Sequence, residues 1–324
     1  MLSRPRRNRS SHAVRSMVEE TKLGVENLIY PFFIQDGTNQ KIEISSMPNN
    51  FRWTIDLLLS EIEQCVELGI QSFVLFPAVA DYLKDTIATY SYSDDNFYLN
   101  CIRTIKERFP QILLMSDVAM DPYSSDGHDG LVKDGKIIND DTLPILARMS
   151  VAQAQAGIDI IGPSDMMDGR VGYIRGALDH AGYTDVSIMA YTAKYASAFY
   201  GPFRDALDSA PKSGDKKTYQ MNPANKKEAL REAKLDIEEG ADMIMVKPAL
   251  CYLDVIHMLK EVSSVPITAY NVSGEYAMVY AAAKNGWLNY DLTMAEMLLS
   301  IRRAGADGIL TYFAKDFATY IKQS

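Results

Sequence analysis

Two lysines stand at the ends of apolar segments, an unusual place for a long charged side chain. Lys247 closes the run MIMVK, and Lys194 follows the run that begins at residue 187. Burial lowers the pKa of a lysine because it disfavours the cation, and a second positive charge nearby lowers it further. If the two amines lie side by side, each lowers the pKa of the other, and a neutral amine can attack a ketone to form a Schiff base. The alternative is a lysine that reaches solvent or pairs with an acid such as Asp165.

Residues 116–130 form a second chemically unusual segment, SDVAMDPYSSDGHDG, with four aspartates, one histidine and two glycines. Carboxylates without thiolates are ligands of hard cations, so the segment favours Mg²⁺ or a monovalent ion over zinc. The same Asp-Gly pairs are common in ordinary turns, and the spacing alone favours that interpretation. His128 is weak evidence by itself.

A third polar group lies in residues 201–225, the one long stretch without apolar periodicity, which is rich in Pro, Gly, Asp and Lys. Its position after the fifth apolar run favours an active-site lid at about 197–225. Arg204, Lys216 and Gln220 are placed there to meet an anionic substrate. A solvated cationic loop is the alternative for the same charges.

The elements that must position these residues follow a repeating pattern. Eight short apolar runs alternate with amphipathic stretches of helical length, which indicates βα repetition. The runs occupy residues 28–33, 72–77, 112–118, 158–163, 187–192, 243–247, 267–270 and 308–312. Helices are predicted at 54–68, 96–109, 143–156, 225–239 and 293–304. Gly69, Gly157, Gly240 and Gly305 each follow a predicted helix, where a left-handed residue can end it.

Eight such units predict an α/β protein with a single (β/α)₈ barrel, and no GxGxxG phosphate loop follows the first run. The active site of such a barrel lies at the carboxyl ends of its strands. The reactive side chains at or just beyond those ends are Asp117, Asp165, Lys194, Lys247, Tyr270, Ser273 and Tyr312.

Composition limits the classes of function. The chain has 324 residues, of which 47% are hydrophobic and 23% charged, and its formal charge is −9. An acidic protein is a poor general binder of nucleic acid, so no nucleic-acid partner is expected. Three scattered cysteines, no apolar run of membrane-spanning length and no secretory signal favour a protein of the reducing cytoplasm, with no membrane partner.

The first residues differ from the rest of the chain, because five arginines precede the first acid, Glu19. Transit peptides and nucleic-acid-binding arms share this composition, so organellar targeting is an alternative. We interpret residues 1–25 as an extended arm that contacts a neighbouring subunit, and residues 26–324 as the barrel domain.

Five motifs together resemble one enzyme family. They are MAYTAKYASAFYGPFRDA, ADMIMVKPALCYLD, IGPSDMMDGRV, YNVSGEYAM and RRAGADGILTYF. The sequence resembles, from Arg4 to its last helix, the δ-aminolevulinic acid dehydratase family, also called the porphobilinogen synthases. The resemblance implies a (β/α)₈ barrel with an N-terminal arm that wraps a neighbouring subunit, typically in an octamer. It implies condensation of two 5-aminolevulinate molecules into porphobilinogen, with loss of water, in the synthesis of haem and other tetrapyrroles.

The resemblance also assigns roles to residues. It implies that Lys247 forms a Schiff base with the first substrate, Lys194 forms a second imine, and Asp117 is a candidate for proton transfer. The positions that match the family's first carboxylate site are Ser273 and Tyr312, with Tyr270 packed on the first substrate. Those that match the second carboxylate site are Arg204, Lys216 and Gln220.

The family divides by metal. Three cysteines of its zinc branch correspond to Ala119, Asp121 and Asp129 here, so no thiolate ligand is present and no zinc is expected. The chain resembles the magnesium-responsive branch, in which a glutamate matching Glu232 supports an allosteric Mg²⁺. Asp121 and Asp129 are the candidates for a further active-site cation.

Besides this enzyme family, two other interpretations of the sequence are possible. The first is a class I Schiff-base aldolase, which would require a phosphate site near the last two strands, where this sequence has hydroxyl groups instead. A non-catalytic oligomeric binding protein would use the basic arm and acidic barrel. Three positions near the site differ from the family's usual residues: Ala249 replaces a glycine, Cys251 replaces a proline, and Asp126 replaces a histidine. We expect the backbone to be altered locally at these positions and the activity to be retained.

Overall fold

Eight parallel strands form a closed barrel in the computed structural model, which describes residues 1–207 and 211–323. The strands are β1 (Leu28–Gln35), β2 (Ser72–Ala78), β3 (Leu113–Met115), β4 (Ile160–Ile161), β5 (Ser187–Lys194), β6 (Met243–Lys247), β7 (Ile267–Asn271) and β8 (Gly308–Thr311). Each pairs with its neighbour in sequence order, and β8 closes on β1 through the pairs Leu28 with Ile309 and Ile29 with Leu310. All eight predicted strands and the predicted barrel are confirmed.

Helices connect the strands and cover the barrel. They are α1 (His12–Met17), α2 (Ile55–Glu67), α3 (Phe97–Arg108), α4 (Asn139–Gln155), α5 (Arg170–His180), α6 (Gly201–Leu207), α7 (Glu228–Glu238), α8 (Leu253–Lys260), α9 (Ser273–Lys284), α10 (Tyr290–Ala304) and α11 (Ala314–Gln323). Short antiparallel pairs also form between Lys41–Glu43 and Phe51–Trp53 and between Val132–Lys133 and Lys136–Ile137. The five predicted helices are present, with ends shifted by a few residues.

Glycines end four of these helices as predicted. Gly69, Gly157, Gly240 and Gly305 have φ between +94° and +125°, a region that side chains with a Cβ rarely adopt. The chain therefore leaves each helix and enters the next strand within a few residues. This repeated turn places the carboxyl ends of all eight strands on one face of the barrel.

One irregularity in the barrel lies beside the predicted lysines. Ile244 of β6 pairs with Ala190, but Val246 pairs with Ala193, so β5 contains one extra residue opposite β6. Such a bulge changes the alternation of side chains along a strand. Tyr191 and Lys194 are three residues apart, yet the Lys194 ammonium lies over the Tyr191 ring. The bulge lets both side chains occupy the same side of the strand.

The predicted lid contains more regular structure than expected. A short turn at Ala198–Tyr200 leads into α6, whereas the sequence indicated no helix in residues 201–225. The helix forms because Phe203, Ala206 and Leu207 share one face. Ala206 and Leu207 are buried, and the Phe203 ring lies 5.0 Å from that of Phe76. Three residues of the predicted lid, 208–210, lie outside the described residues.

The first part of the predicted arm is exposed. Neither Pro5–Arg9 nor α1 buries a side chain, and Met1, Leu2 and Met17 are highly exposed. Near the barrel, the Arg302 guanidinium donates a hydrogen bond to the Lys22 carbonyl at 3.4 Å. In the described part of the chain, no helix combines the length and the apolar character needed to cross a bilayer.

Candidate active site

The two lysines predicted from the sequence lie directly opposite each other. Lys194 ends β5, Lys247 ends β6, and the two are paired in the parallel register. Each side chain is only 6% exposed at the carboxyl face of the barrel. The expectation of two neighbouring amines at the barrel mouth is therefore met.

Lys247 lies in an aromatic environment. Its Nζ is 4.5 to 5.2 Å from four ring centroids, those of Tyr191, Tyr200, Phe203 and Tyr270. Burial, and next the positive charge of Lys194, lowers the pKa of Lys247 to about 7. A substantial fraction of this amine is therefore neutral at neutral pH, which makes it a nucleophile for a carbonyl carbon.

Lys194 meets different surroundings. Its ammonium donates to Asp129 Oδ2 at 3.0 Å and to the carbonyl of Ser164. The sequence suggested that the two amines affect each other alike, but an acid from the loop after β3 pairs with Lys194. Lys194 therefore pairs with an acid, as the alternative interpretation allowed, but the acid is Asp129. Asp165 instead faces the guanidinium of Arg170 at 3.9 Å.

Two aspartates of the acidic loop, Asp121 and Asp129, face ammonium groups in this structure. The Lys216 ammonium lies between Asp121 and Asp129, at 3.1 Å from the first and 2.5 Å from the second. Burial opposes the charge of Asp129, but Lys194 and Lys216 together lower its pKa to about 2. Two carboxylates facing two ammonium groups are already balanced, so this donor set does not fit a further metal ion. No observation tests the role of Asp121 and Asp129 as ligands of a further cation, so it stays a prediction, which these ion pairs do not favour.

Asp117 follows β3 and is buried beside both lysines. Burial, and next the negative charge of Asp121, raises its pKa to about 7, although Lys194 and Lys247 act in the opposite direction. The Gln153 side chain donates to the Asp117 carbonyl at 3.1 Å, and the Asp117 N–H donates to the hydroxyl of Tyr98. A carboxyl group with this pKa can both accept and release a proton near neutrality.

Three hydroxyl groups lie on the other side of Lys247. The hydroxyls of Tyr270 and Tyr312 are 2.7 Å apart, and both side chains are buried. Ser273 begins α9, and its Oγ accepts a hydrogen bond from the N–H of Phe203 in the lid at 3.0 Å. Burial raises the pKa of both tyrosines, so they remain hydrogen-bond donors at neutral pH.

The lid is tied to the loop after β3 by His128. Its Nδ1 lies 3.1 Å from the Tyr219 hydroxyl, and its Nε2 lies 2.9 Å from the Ser213 carbonyl. Arg204 on α6 is half-buried, while Gln220 is buried and its N–H donates to the Lys216 carbonyl. Of the three predicted carboxylate-binding residues, Lys216 is the one whose side chain bonds to residues of the barrel mouth, Asp121 and Asp129.

Glu232 lies apart from the lysines. It is on α7 and lines a cavity of about 770 Å³ together with Glu228 and Asp168. Burial raises the pKa of Glu232, and the charges of Asp236, Asp168 and Glu228 raise it further, although Arg170 opposes them. His128 and Tyr219 line the same cavity, so it borders the lid.

Several residues of this site were not identified from the sequence. Tyr191 was not predicted as a site residue, because the bulge in β5 breaks the alternation of side chains that repeats every two residues along a regular strand. Glu275 is completely buried and accepts hydrogen bonds from Leu250 N–H at 2.8 Å and Val272 N–H at 3.1 Å, so it joins the loop after Lys247 to the start of α9. Its position three residues after the N-cap of α9 was the signal available.

The residues that depart from the family pattern lie close to this network. Ala249 is buried in the loop that Glu275 supports, and Cys251 is an exposed free thiol. The Asp126 carbonyl accepts from the N–H of Lys212 in the lid at 3.2 Å. The effect of these three substitutions on the backbone stays a prediction.

A closed (β/α)₈ barrel with a nucleophilic lysine at its mouth defines a class of enzymes that react with carbonyl substrates. The model of the family described as Delta-aminolevulinic acid dehydratase matches residues 2–320. The chain belongs to the δ-aminolevulinic acid dehydratase family, and it is therefore a lyase that acts as a porphobilinogen synthase. This assignment decides against both the aldolase and the non-catalytic alternative.

Named relatives agree with this assignment. A chloroplastic Delta-aminolevulinic acid dehydratase of Physcomitrium patens is 55% identical over 99% of this chain and 74% of its own length. The protein of that name from Halalkalibacterium halodurans is 50% identical over 99% of this chain and 98% of its own length. A crystal structure from Toxoplasma gondii, in complex with the reaction product porphobilinogen, matches with a TM-score of 0.98 and 51% identity, covering 100% of this chain and 93% of that one.

Proposed function

We propose that this chain joins two molecules of 5-aminolevulinate into porphobilinogen, with loss of water, through imines on Lys247 and Lys194. The observation that carries the proposal is the amine of Lys247, with a pKa of about 7, directly across the barrel register from a second lysine. Holding both substrates covalently replaces an encounter of two molecules by a reaction within one complex, which can contribute most of the rate enhancement.

The first substrate binds at Lys247. Its ketone accepts the neutral amine, and its carboxylate is bound by hydroxyl donors at Ser273 and Tyr312, with Tyr270 packed along the chain between them. The hydroxyl pair of Tyr270 and Tyr312 is already in hydrogen-bond contact, so it forms a preorganised donor group. The Ser273 hydroxyl, which donates to the Phe199 carbonyl at 3.4 Å in this structure, donates instead to the substrate carboxylate.

The second substrate binds at Lys194, with its carboxylate held from the lid by Arg204, Lys216 and Gln220. Lys194 and Lys216 are both ion-paired with Asp129 in this structure. The incoming carboxylate is an alternative partner for the Lys216 ammonium, so its binding competes with Asp121 and Asp129. Release of Lys216 also changes the electrostatic balance at Lys194.

Asp117 transfers protons between these groups. Its pKa of about 7 matches exchange with an amine near neutrality, whereas Asp129, with a pKa of about 2, stays charged and serves as a fixed counter-ion. The protonated imine withdraws electrons, so the adjacent carbon can give its proton to the Asp117 carboxylate. The resulting enamine carbon then attacks the carbon of the imine on Lys194. The proton passes to the Lys194 nitrogen, which leaves as the free amine, and water is released at the earlier steps in which each ketone forms its imine.

The proposal is tested by trapping. The protein is incubated with 5-aminolevulinate, reduced with borohydride and digested, and the labelled peptide is identified by mass spectrometry. We expect the label on Lys247, and we expect Lys247→Met to abolish both the label and porphobilinogen formation. An exposed lysine, Lys284, provides the matched control, because Lys284→Met should retain both. Full pyrrole production by Lys247→Met would refute the proposal.

We propose further that Mg²⁺ binds at Glu232 as an allosteric ion. No group of three or more His, Cys, Asp or Glu among the described residues is arranged to hold a metal. Mg²⁺ does not need such a group, because it commonly keeps several waters and binds through one or two carboxylates. Burial is the main cause of the raised pKa of Glu232, and the negative charges of Asp236, Asp168 and Glu228 add to it, so a cation here would favour the charged carboxylate. The bound ion would supply positive charge at the border of the lid.

Removal of this ion has two expected effects. Chelation of Mg²⁺ should lower activity and shift the protein to smaller assemblies in sedimentation velocity, and re-addition of Mg²⁺ should reverse both changes. Glu232→Ala should reduce the response to Mg²⁺, whereas Glu238→Ala, at an exposed position of the same helix, should respond as the unmodified protein does. A zinc-selective chelator should have no effect. Equal activity and sedimentation with and without Mg²⁺ would contradict the proposal.

We propose a homo-octamer located in the cytoplasm. The first 18 residues carry five arginines and no acid, which gives them a formal charge of +5. Because the whole chain has a formal charge of −9, the remaining residues have a formal charge of −14. This opposition of charge, together with an arm that buries none of its helical side chains, suits an arm that binds the barrel of a neighbour. Cys65 and Cys101 are free, buried thiols, which suits a reducing compartment.

A further inference from the structure

A tyrosine that the chemistry above does not use lies directly among its catalytic groups. The Tyr191 ring centroid is 5.1 Å from Lys247 Nζ and 6.0 Å from Lys194 Nζ. Tyr191 reaches this position because of the extra residue in β5, which lets Tyr191 and Lys194 lie on the same side of the strand. A regular strand would direct the two side chains to opposite faces.

The ring also packs against the neighbouring strand at Gly162, just after β4. A Cβ at Gly162 would lie 2.5 Å from both Met115 Cε and the Ser116 carbonyl oxygen, and 3.5 Å from Cε2 of Tyr191. The first two distances require glycine at this position, whereas the third is an ordinary van der Waals contact. The bulge in β5 is therefore the feature that places Tyr191.

The hydroxyl of Tyr191 is the unexplained feature. Tyr191 is fully buried, and its hydroxyl has no hydrogen-bond partner among the described residues. Leaving a buried hydroxyl without a partner is unfavourable, and such groups in a native protein require a specific reason. Burial, and next the charge of Asp117, raises the pKa of Tyr191, so its phenol stays protonated and can donate a hydrogen bond.

Asp117 is the acid that faces this phenol. The other titratable groups that face Tyr191 or Asp117 are Lys194, Lys247, Asp121, Tyr98, Tyr123, Tyr200, Tyr270 and Tyr312. The lysines are donors, and the five tyrosines remain protonated because burial raises the pKa of each. Asp121 is already paired with Lys216. The remaining acceptor in this set for the Tyr191 hydroxyl is therefore the carboxylate of Asp117.

We propose that Tyr191 is a positioning residue for Asp117, to which its hydroxyl donates a hydrogen bond through a bridging water. The bond fixes the carboxylate toward the two lysines and stabilises its charged form. This inference rests on the proposed function, because it assigns to Asp117 the proton transfers described above. Tyr191 would thus act on the reaction through Asp117, without a bond of its own to either substrate.

The expected effect has a definite sign. A hydrogen bond to the charged form of an acid lowers its pKa, so its removal raises the pKa of Asp117. Asp117 must be ionised to accept a proton, so the acidic limb of the kcat/KM profile should move to higher pH. Tyr191→Phe keeps the ring beneath Lys247 and removes only the hydroxyl. We expect a shift of about 0.5 to 1 pH unit, kcat lowered about tenfold and KM changed less than about twofold.

Tyr276→Phe is the matched control. Tyr276 is also fully buried, but its hydroxyl donates to the Pro48 carbonyl at 2.7 Å, outside the group that faces Asp117. It should lower thermal stability without moving the pH profile. A second variant uses fluorotyrosine at position 191, whose phenol is a stronger donor of the same shape. It should shift the acidic limb to lower pH, opposite to Tyr191→Phe, and it decides the question if Tyr191→Phe does not fold.

Borohydride trapping separates this inference from the proposed function. If the unmodified protein gives no imine on Lys247, the proposed function fails. If Tyr191→Phe forms that imine normally and its pH profile and kcat are unchanged, the role of Tyr191 is refuted while the proposed function stands. Opposite pH shifts with Phe and fluorotyrosine would establish it.

Discussion

Two lysines that face each other across neighbouring strands differ because of what surrounds them. Lys247 is enclosed by rings, which disfavour its charge through burial, whereas Lys194 is ion-paired with Asp129. Cation–π attraction offsets only part of the cost of removing a charge from water. The barrel thus provides one amine with a lowered pKa and one amine that is ion-paired with a buried carboxylate.

The low pKa of Lys247 predicts a stability effect with a definite pH dependence. An unfolded lysine has a pKa near 10.5, so between pH 7 and 10.5 the unfolded chain binds more protons at this position than the folded chain. The buried cation therefore destabilises the folded protein fully below pH 7, and this cost disappears as the pH approaches 10.5. Lys247→Met should raise the free energy of unfolding by roughly 4 kcal/mol at pH 6 to 7.

Denaturant titrations over pH 6 to 10 measure this difference. The advantage of Lys247→Met over the unmodified protein should shrink as the pH rises, whereas Lys284→Met, at an exposed site, should give no such trend. An advantage that is absent at pH 6, or one that grows with pH, would contradict the pKa assigned to Lys247.

At the scale of elements, the lid and the loop after β3 act as one unit. His128 is buried between them and contacts the lid at both Tyr219 and Ser213. A neutral imidazole suits both contacts, because Nδ1 can accept from the phenol while Nε2–H donates to the carbonyl. These bonds keep Lys216 and Gln220 close to the lysines.

Loss of this connection should affect substrate binding more than chemistry. We expect His128→Ala to raise the KM for 5-aminolevulinate several-fold, because the closed lid loses two hydrogen bonds, and to lower kcat less. His180→Ala, at the exposed end of α5, is the control and should leave both constants unchanged. Steady-state kinetics at saturating Mg²⁺ provides the measurement. An unchanged KM in His128→Ala would show that the lid closes without this histidine.

The elements also show how far the sequence could be interpreted. Apolar runs and the glycines after helices are local signals, so all eight strands and the neighbouring positions of Lys194 and Lys247 were predictable. The bond of Lys216 to Asp121 joins residues 95 positions apart, and no local period encodes such a pairing. The bulge beside Tyr191 likewise depends on the partner strand β6, and α6 depends on packing against Phe76.

At the scale of the whole molecule, the arm contributes little to the folded chain itself. Deletion of residues 1–18 should leave the fold of the single chain intact, with an unchanged far-UV circular dichroism spectrum apart from the loss of α1, because Pro5–Arg9 and α1 bury no side chain. The same deletion should reduce the size of the assembly in sedimentation velocity, since the basic arm is the proposed contact with a neighbour. An assembly of unchanged size would exclude the arm as that contact.

The aromatic enclosure of Lys247 also has a practical consequence for chemical labelling. At pH 7 an ordinary lysine is uncharged in roughly one molecule in 2,500, whereas an amine with a pKa of about 7 is uncharged in about half. A small aldehyde reagent, applied briefly at neutral pH, should therefore modify residue 247 well before surface amines. The enzyme could be tagged at a single site without any engineered cysteine.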